Sequence, residues 1–361
     1  MALVKAAVCH EFGKPLSIED VELRAPISGE VEVTLAAVAI CHSDISYADG
    51  AWGGSLPAVY GHEAAGVITA MGDNVTGHQV GDKVVVTLIR ACGTCPACAA
   101  GTPTICQTAY DGDKGPLTMP DGSKLHQAMA CGAFAEKVVV DQSQIAEIPE
   151  DMSSTCASLL ACGVITGVGA VVNAAQLRAG QDVVVIGAGG VGLNAIQGAR
   201  IAGARRIVAV DMSEDKLEIA KEFGATHGVL ATEDKPWRAA KEALGGRGAD
   251  AVLVTVGAAP AYDAAPNYLA YGGKMIMVGM PHTGAVSTYE AANFAAVGQS
   301  MIGSKMGDVV VPRDIPWMAD LYEQGRLKLD ELVSGTWTLD QINEAIADTK
   351  TGTAKRNVIV F

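Results

Sequence analysis

The segment DVVVIGAGGVG places Gly187, Gly189 and Gly192 in a G-x-G-x-x-G frame directly after an apolar run. A stretch of helical composition follows at 190–204, and a second apolar run ends in Asp211. A dinucleotide-binding βαβ unit requires this order of strand, glycine turn, helix and strand, because the glycines let the backbone approach a pyrophosphate. The segment therefore predicts such a unit, with the pyrophosphate at the helix N-terminus.

The acidic residue at the end of the second apolar run favours one of the two nicotinamide dinucleotides. Asp211 stands 24 positions after Gly187 (211 − 187), where a carboxylate accepts hydrogen bonds from the adenosine ribose and repels a 2′-phosphate. We therefore expect NAD rather than NADP. The residues expected to bind it are Gly187, Gly189, Gly190, Val191, Gly192 and Asp211. A glycine-rich turn followed by an ordinary exposed aspartate is the alternative.

The apolar runs divide the chain into two parts, as its length of 361 residues also favours. Before about residue 163, short runs rich in β-branched residues predict a β-rich domain. These runs are 31–40, 64–72 and 82–89. Beyond that point apolar strands alternate with helical stretches, which indicates a parallel sheet covered on both faces. The strands are predicted at 182–187, 205–211, 250–257 and 273–279, and the helices at 190–204, 213–225 and 236–245.

Four of the nine cysteines fall within the fifteen residues CGTCPACAAGTPTIC. They are Cys92, Cys95, Cys98 and Cys106. Four thiolates at such short separations can surround one tetrahedral ion, and tetrathiolate sets are structural zinc sites. An iron–sulfur cluster is the alternative, but in the corresponding ferredoxin run the fourth cysteine follows after three residues and precedes a proline. Here the last spacing is seven residues, so we expect structural zinc.

Composition and charge exclude several classes of protein. The formal net charge of −14 leaves no basic footprint for nucleic acid or for an anionic membrane. The opening residues MALVKAAVCHEFGKP lack the apolar stretch of a signal peptide. We also find no run of the roughly 18 apolar residues that a membrane span needs. These observations predict a soluble, cytoplasmic protein.

Three further residues suggest a second metal site. They are Cys41 in ICHSD, His62 in GHEAAG and Cys162 in LACGVITG. Two cysteines and one histidine leave the fourth tetrahedral position open, as a catalytic zinc requires. The other three cysteines, Cys9, Cys131 and Cys156, have no assigned role and are expected to be free and buried.

Six sequence markers now stand in one order: CHSD, GHEAAG, the four-cysteine segment, ACGVITG, GAGGVG and the closing KRNVIVF. In these markers the chain resembles the zinc-containing alcohol dehydrogenases of the medium-chain dehydrogenase/reductase superfamily. The resemblance covers nearly the whole chain. It implies a β-rich, GroES-like catalytic domain at 1–163 and 306–361. Between the two parts it implies an inserted Rossmann domain at 164–305, an α/β domain with a doubly wound parallel sheet.

The resemblance also implies roles for the residues around the second metal. Cys41, His62 and Cys162 would bind a catalytic zinc, so that each chain carries two zinc ions. Asp44 would orient the histidine ligand, and Glu63 matches the acid that lies beside the metal in the family. The reaction implied is hydride transfer between a primary or secondary alcohol, or the corresponding aldehyde or ketone, and NAD.

Proton transfer and cofactor contacts are implied in the same way. Ser43 matches the family's hydroxyl relay, whereas Ser46 stands where many members have a histidine. His42 and Arg356 match basic residues that lie near the cofactor pyrophosphate. Lys216 matches a lysine that reaches the adenosine ribose. The alternative for His42, Lys216 and Arg356 is an ordinary solvated position.

The substrate is the least determined feature. By family position Trp52 and Leu88 line the substrate pocket, with parts of 110–118 and 280–300 closing it, and such walls suit a modest apolar or aromatic alcohol. The segment LTMPDGSKLHQAMACGAFAEKVVVD is also similar to glutathione- and mycothiol-dependent formaldehyde dehydrogenases. Glutathione users place an acid at the position of Trp52 and an arginine near Tyr110, and both are absent here. A mycothiol adduct therefore remains open beside a plain alcohol.

Two further interpretations concern related proteins. Polyol dehydrogenases usually replace the third cysteine ligand with glutamate, so Cys162 argues against them. Zinc-free relatives, such as quinone reductases or binding proteins, lose the ligands that this chain retains. Family members also pair through the edge of the Rossmann sheet, which implies a homodimer or homotetramer.

Overall fold

The computed structural model describes all 361 residues. The chain forms two compact units. The first comprises Met1–Cys162 together with Val310–Phe361, and the second comprises Gly163–Val309. The first unit is therefore assembled from both ends of the chain.

The strands of both units are short, as the many glycine and proline turns of the sequence predict. In chain order they are β1 (Ala2–Cys9), β2 (Ser17–Leu23), β3 (Glu30–Ala39), β4 (Ala58–Val59), β5 (Glu63–Met71), β6 (Lys83–Thr87), β7 (Leu117–Thr118), β8 (His126–Gln127), β9 (Lys137–Asp141), β10 (Ile145–Glu147), β11 (Asp182–Ile186), β12 (Arg206–Asp211), β13 (His227–Leu230), β14 (Ala249–Val254), β15 (Leu269–Met277), β16 (Ser300–Gly303), β17 (Val333–Trp337) and β18 (Arg356–Val360).

The α-helices include two in the C-terminal part of the chain that the sequence analysis did not predict. In chain order they are α1 (His42–Ala48), α2 (Pro96–Ala99), α3 (Ser154–Leu159), α4 (Ile165–Gly169), α5 (Gly190–Ile201), α6 (Glu214–Phe223), α7 (Pro236–Ala243), α8 (Ala259–Ala264), α9 (Ala291–Val297), α10 (Val311–Glu323) and α11 (Ile342–Lys350). Only α5, α6 and α7 were predicted from the sequence; the others were not, and they include α10 and α11 in the C-terminal part of the chain. Two π-helical segments, Leu160–Val164 and Ala170–Ala174, follow α3 and α4 without a break.

The first unit is built on two sheets. One has the order β7-β2-β1-β4-β8, and the other has the order β10-β6-β5-β3-β18-β17, with β9 also paired to β3. Strand β3 alternates between partly exposed and buried residues along its first half, so that Val31, Val33 and Leu35 point into the core. The final strand β18 lies antiparallel to β3, with Val358 opposite Ala39. The chain end thus pairs with a strand of the β-rich unit.

The second unit is one parallel sheet with the strand order β13-β12-β11-β14-β15-β16. This is the order of a doubly wound dinucleotide fold. All five residues of β11 are buried, as expected for a central strand whose two faces are both covered. The strand leads through the glycine turn into α5, which begins at Gly190. The predicted fold class, a β-rich domain with an inserted Rossmann sheet, is confirmed.

One long apolar helix was not predicted from the sequence. The residues Ser154–Ala174 form a continuous 21-residue helix, and its most apolar 18-residue window has a mean hydropathy of 2.0, so that it is long and apolar enough to cross a membrane by length and composition alone. Uncharged polar residues such as Thr155 and Asn173 interrupt the aliphatic residues of this segment, so no continuous apolar run of that length stands in the sequence. In the structure 89% of its most apolar window is buried inside the protein, as in the core helix of a globular domain.

Candidate active site

Four side chains from distant parts of the sequence meet inside the first unit. The ligand atoms of Cys41, His62, Glu63 and Cys162 all lie within 4.8 Å of one another, and all four residues are buried. The pairing of β3 with β5 sets Ala39 opposite Glu63. This register places Cys41, just beyond the end of β3, beside His62, just before the start of β5.

Asp44 fixes the orientation of the histidine. Its carboxylate accepts hydrogen bonds from the backbone amides of Cys41 at 3.0 Å and Gly61 at 2.9 Å, and it lies 2.9 Å from Nδ1 of His62. Since a carboxylate only accepts, Nδ1 carries a proton, and in the neutral imidazole Nε2 then presents its lone pair. Nε2 is buried and has no hydrogen-bond partner. A buried, unpartnered imidazole lone pair next to two thiols is the donor set that a zinc ion takes.

The thiol of Cys41 at this site has a lowered pKa. A hydrogen bond from Cys162, together with His62, holds the pKa of Cys41 well below its ordinary value despite the opposing effect of burial. The thiolate is the form of cysteine that binds metals. Cys41 is therefore prepared as an anionic ligand within an otherwise enclosed site.

Glu63 and Arg356 form a loose buried ion pair at this site. Their side chains are 0% and 5% exposed, and Nη2 of Arg356 lies 3.6 Å from Oε1 of Glu63. Neither carboxylate oxygen of Glu63, nor Nη2 of Arg356, has a hydrogen-bond partner. Burial raises the pKa of Glu63 to about 8, although Arg356 opposes the shift. The sequence analysis assigned Arg356 to a cofactor and did not foresee its contact with Glu63.

The four-cysteine segment forms a second cluster, in the same unit. The sulfur atoms of Cys92, Cys95, Cys98 and Cys106 lie within 4.8 Å of one another. Backbone amides point at them, including the amide of Cys95 at 3.3 Å from Sγ of Cys92 and that of Gln107 at 3.4 Å from Sγ of Cys95. A hydrogen bond from Thr108, with further backbone amides, lowers the pKa of Cys92 to about 5. Four converging sulfurs, with lowered pKa values at Cys92 and Cys95, fit a closed tetrahedral zinc site.

The glycine turn of the second unit has the geometry of a phosphate-binding loop. Gly187 has a φ of +98°, and a Cβ added at Gly192 would lie 1.8 Å from the carbonyl oxygen of Gly187. A Cβ added at Gly189 would meet nothing within 4 Å. Gly189 also precedes the twelve-residue helix α5 without any side-chain cap. The helix N-terminus is therefore open to an anionic ligand.

Asp211, at the end of β12, lies beside this turn. Its carboxylate accepts hydrogen bonds from the amide of Ala188 at 2.7 Å and from that of Ser213 at 3.1 Å. The amide of Lys216, in the first turn of α6, lies 3.4 Å from Oγ of Ser213. The structure thus brings Asp211 and the glycine turn together, and Lys216 lies in the first turn of the helix that follows Asp211.

The other residues predicted for this site in the first unit lie on or near α1 and after β6. His42, Ser43 and Ser46 are on α1, the helix that begins directly after Cys41. Leu88 follows the end of β6 and is partly buried. The ring of Trp52 packs edge-on against that of Tyr47, with 5.1 Å between ring centroids.

Tyr47 was missed by the sequence analysis. Its ring also stacks on that of Tyr60 at 6.4 Å. It lies four residues after Ser43, on the same face of α1, and this spacing was the available signal.

Two family models match the chain. The model "Alcohol dehydrogenase GroES-like domain" matches residues 27–150. The model "Zinc-binding dehydrogenase" matches residues 190–324. The first contains His62 and the four-cysteine cluster, and the second begins at the start of α5.

Relatives match over nearly the whole chain. The NDMA-dependent alcohol dehydrogenase of Amycolatopsis methanolica is 36% identical, covering 99% of this chain and 98% of that protein. The S-(hydroxymethyl)glutathione dehydrogenase of Synechocystis sp. is 34% identical, covering 99% of both. Among solved structures, the benzyl alcohol dehydrogenase of Acinetobacter calcoaceticus has a TM-score of 0.93 at 31% identity, covering 100% of both chains.

Proposed function

The chain belongs to the zinc-binding alcohol dehydrogenase family, and from this premise we propose that it oxidises an alcohol with NAD as hydride acceptor and carries two zinc ions. It is an oxidoreductase of the zinc-dependent medium-chain type. The observation that carries the proposal is the buried, unpartnered Nε2 of His62 beside the sulfurs of Cys41 and Cys162.

Cys41, His62 and Cys162 would hold the catalytic zinc, and the four-cysteine cluster would hold the structural one. When bound, a catalytic zinc supplies a Lewis acid that stabilises negative charge on an alcohol oxygen. Asp44 keeps the proton of His62 on Nδ1, so that the lone pair of Nε2 can bind the metal. Ser43, on the helix that begins after Cys41, would carry the alcohol proton away. Glu63, with its raised pKa, and the buried guanidinium of Arg356 place a carboxyl group and a positive charge next to the site.

The glycine turn and Asp211 would bind NAD in the second unit. The open N-terminus of α5 supplies amides for the pyrophosphate. Two backbone amides hold the carboxylate of Asp211 in place. Its negative charge would therefore lie close to the 2′-phosphate of NADP and repel it. This fixed charge favours NAD over NADP. Lys216, in the first turn of α6, would add positive charge near the adenosine ribose, and the cofactor roles of His42 and Arg356 stay predictions from the family resemblance.

The aromatic group at Trp52 supports an aromatic or modest apolar alcohol as substrate. Trp52 is braced by Tyr47, which in turn stacks on Tyr60, and Leu88 would provide the aliphatic wall. A flat aromatic surface suits a ring that packs edge-on or offset. The second candidate is a thiol adduct of formaldehyde, because a relative is named as an S-(hydroxymethyl)glutathione dehydrogenase.

We propose that the chain works in the cytoplasm as a homodimer or homotetramer. The strand β16 lies at the edge of the six-stranded sheet, where its outer backbone groups can pair with a second copy.

The proposal is tested by the rate of NADH formation with a panel of alcohols. The purified protein receives NAD, or NADP in a parallel series, with benzylic, primary and secondary alcohols. Further series contain formaldehyde with glutathione, with mycothiol and without a thiol, and NDMA is tested as a final acceptor. We expect turnover of benzylic alcohols with NAD, at a kcat/KM at least about tenfold above that with NADP, a difference of ~1.4 kcal/mol.

The panel separates the two candidate functions. Turnover that appears only with a thiol adduct would establish the formaldehyde reaction and contradict the plain alcohol. Failure of every alcohol and adduct, in protein that contains zinc, would contradict both the aromatic pocket and the proposed reaction.

A further inference from the structure

The third proposed zinc ligand lies in an unusual part of its helix. Cys162 is the middle residue of the π-helical segment Leu160–Val164, between α3 and α4. A π turn contains an extra residue compared with an α turn, so it changes the direction in which the side chains beyond it point. The register of the helix before the π turn and the register after it must therefore both be fixed for Cys162 to face the site.

The half of the helix before the π turn is tethered through Cys156. This residue is 2% exposed, and its thiol donates a hydrogen bond to Oδ1 of Asp330 at 3.2 Å. The other oxygen, Oδ2, accepts a hydrogen bond from the hydroxyl of Tyr322 on α10 at 2.9 Å. The residue that precedes α3, Ser153, makes no side-chain cap. The Cys156 contact therefore ties the first turn of the helix to the C-terminal part of the first unit.

The protonation of this tether is stable near neutral pH. Burial, with the neighbouring carboxylate of Asp330, raises the pKa of Cys156 to about 12. Burial and Asp330 also raise the pKa of Tyr322. Both groups therefore remain protonated and both donate to one carboxylate, which makes these charge-assisted hydrogen bonds.

The half of the helix after the π turn is fixed by backbone contact within the second unit. A Cβ added at Gly167 would lie 2.4 Å from the carbonyl oxygen of Val191 on α5. A Cβ added at Gly169 would lie 2.4 Å from the carbonyl oxygen of Gly307. The backbone of α4 thus packs closely against α5 and against Gly307.

We propose that Cys156 and Asp330 are positioning residues for the third thiolate, holding α3 so that the π turn presents Cys162 to Cys41 and His62. The inference rests on the proposed function, because it assumes a zinc ion at that site. Cys156 lies six positions before Cys162, so it acts through the helix and not by contact with the metal.

The test is the rate at which a chelator removes zinc from the purified protein. The release assigned to the Cys41 site is identified as the phase that is missing in Cys41→Ser. Loss of groups that orient metal ligands typically costs about 10–100-fold in metal affinity. We expect Cys156→Ala to release this zinc about 10–100-fold faster, with release from the four-cysteine cluster unchanged. Cys156→Ser retains a hydroxyl donor for Asp330 and should release zinc almost as slowly as the wild type.

Cys9→Ala provides the matched control. Cys9 is also a buried thiol of the first unit, and its sulfur makes a local contact to the carbonyl of Glu11 at 3.5 Å. Wild-type release rates in Cys156→Ala would overturn the inference. Equal acceleration at both zinc sites, or in Cys9→Ala, would also overturn it, since this would indicate a general loss of stability. Failure of the proposed function is a different result, because the wild type itself would then lack the phase of the Cys41 site.

Discussion

Replacement of Cys41 by serine is expected to lower kcat/KM for alcohol oxidation by at least about 10³-fold, or ~4 kcal/mol of transition-state stabilisation. A serine hydroxyl is not a thiolate and does not replace it as a zinc ligand. The remaining donors, His62 and Cys162, leave the ion incompletely held. The measurement is steady-state NADH formation with saturating NAD and the best alcohol of the panel.

The control for this variant is Cys9→Ser, in which another buried thiol of the first unit becomes a hydroxyl. It should keep wild-type kinetics within about threefold, because β1 contributes no ligand to the site. If Cys41→Ser kept more than a tenth of the wild-type kcat/KM, the assignment of Cys41 as a zinc ligand would be wrong.

Substitution of the glycines in the turn proposed to bind NAD is expected to have the second large effect. The result should differ between Gly192 and Gly189, because the two glycines have different structural roles. At Gly192 a Cβ would lie 1.8 Å from the carbonyl oxygen of Gly187, so an alanine forces the turn away from α5. Such overpacking costs about 1–3 kcal/mol or more. We expect Gly192→Ala to lower the thermal unfolding temperature by several degrees and to abolish measurable NAD binding.

Gly189→Ala is the matched variant. Its φ of −78° suits an alanine, and its Cβ would meet nothing within 4 Å. The protein should therefore keep its unfolding temperature, while the added methyl group obstructs the pyrophosphate and weakens NAD binding by at least about tenfold. The measurements are thermal unfolding without NAD and NAD affinity by calorimetry. Wild-type NAD affinity in Gly189→Ala would contradict the placement of the pyrophosphate at α5.

The Rossmann sheet could be predicted from the sequence because its strands are continuous apolar runs. The run before Gly187 and the run that ends in Asp211 are buried on both faces, so no polar residue interrupts the pattern. The four-cysteine cluster was equally accessible, since its ligands are close in sequence and their spacing alone limits the metal. A local sequence pattern is therefore sufficient to predict a site whose interacting residues are close in sequence.

The residue types of the other site suggested a metal, but the roles of its residues came from the family resemblance. Cys41, His62 and Cys162 are far apart in sequence, and only the β3–β5 register and the course of one helix bring them together. Spacing carries no information about such contacts. The three hydrogen bonds of Asp44 are of the same kind, as is the buried pair of Glu63 with Arg356.

The helix Ser154–Ala174 was missed for a different physical reason. Its small residues weaken any 3.6-residue periodicity, because the helix is buried on nearly every side and has no polar face. The π turn at Cys162 depends on the register in which its two halves pack. Tertiary packing sets that register, so no local preference of the sequence Leu160–Val164 predicts it.

The central claim is most directly tested by the zinc content of the purified chain, measured by elemental analysis of the wild type and of Cys41→Ser. The proposed sites predict two zinc ions per wild-type chain. They predict one in the variant, where the four-cysteine cluster keeps its ion and the Cys41 site loses its own. A wild type with a single zinc, unchanged by Cys41→Ser, would contradict a catalytic zinc at Cys41, His62 and Cys162.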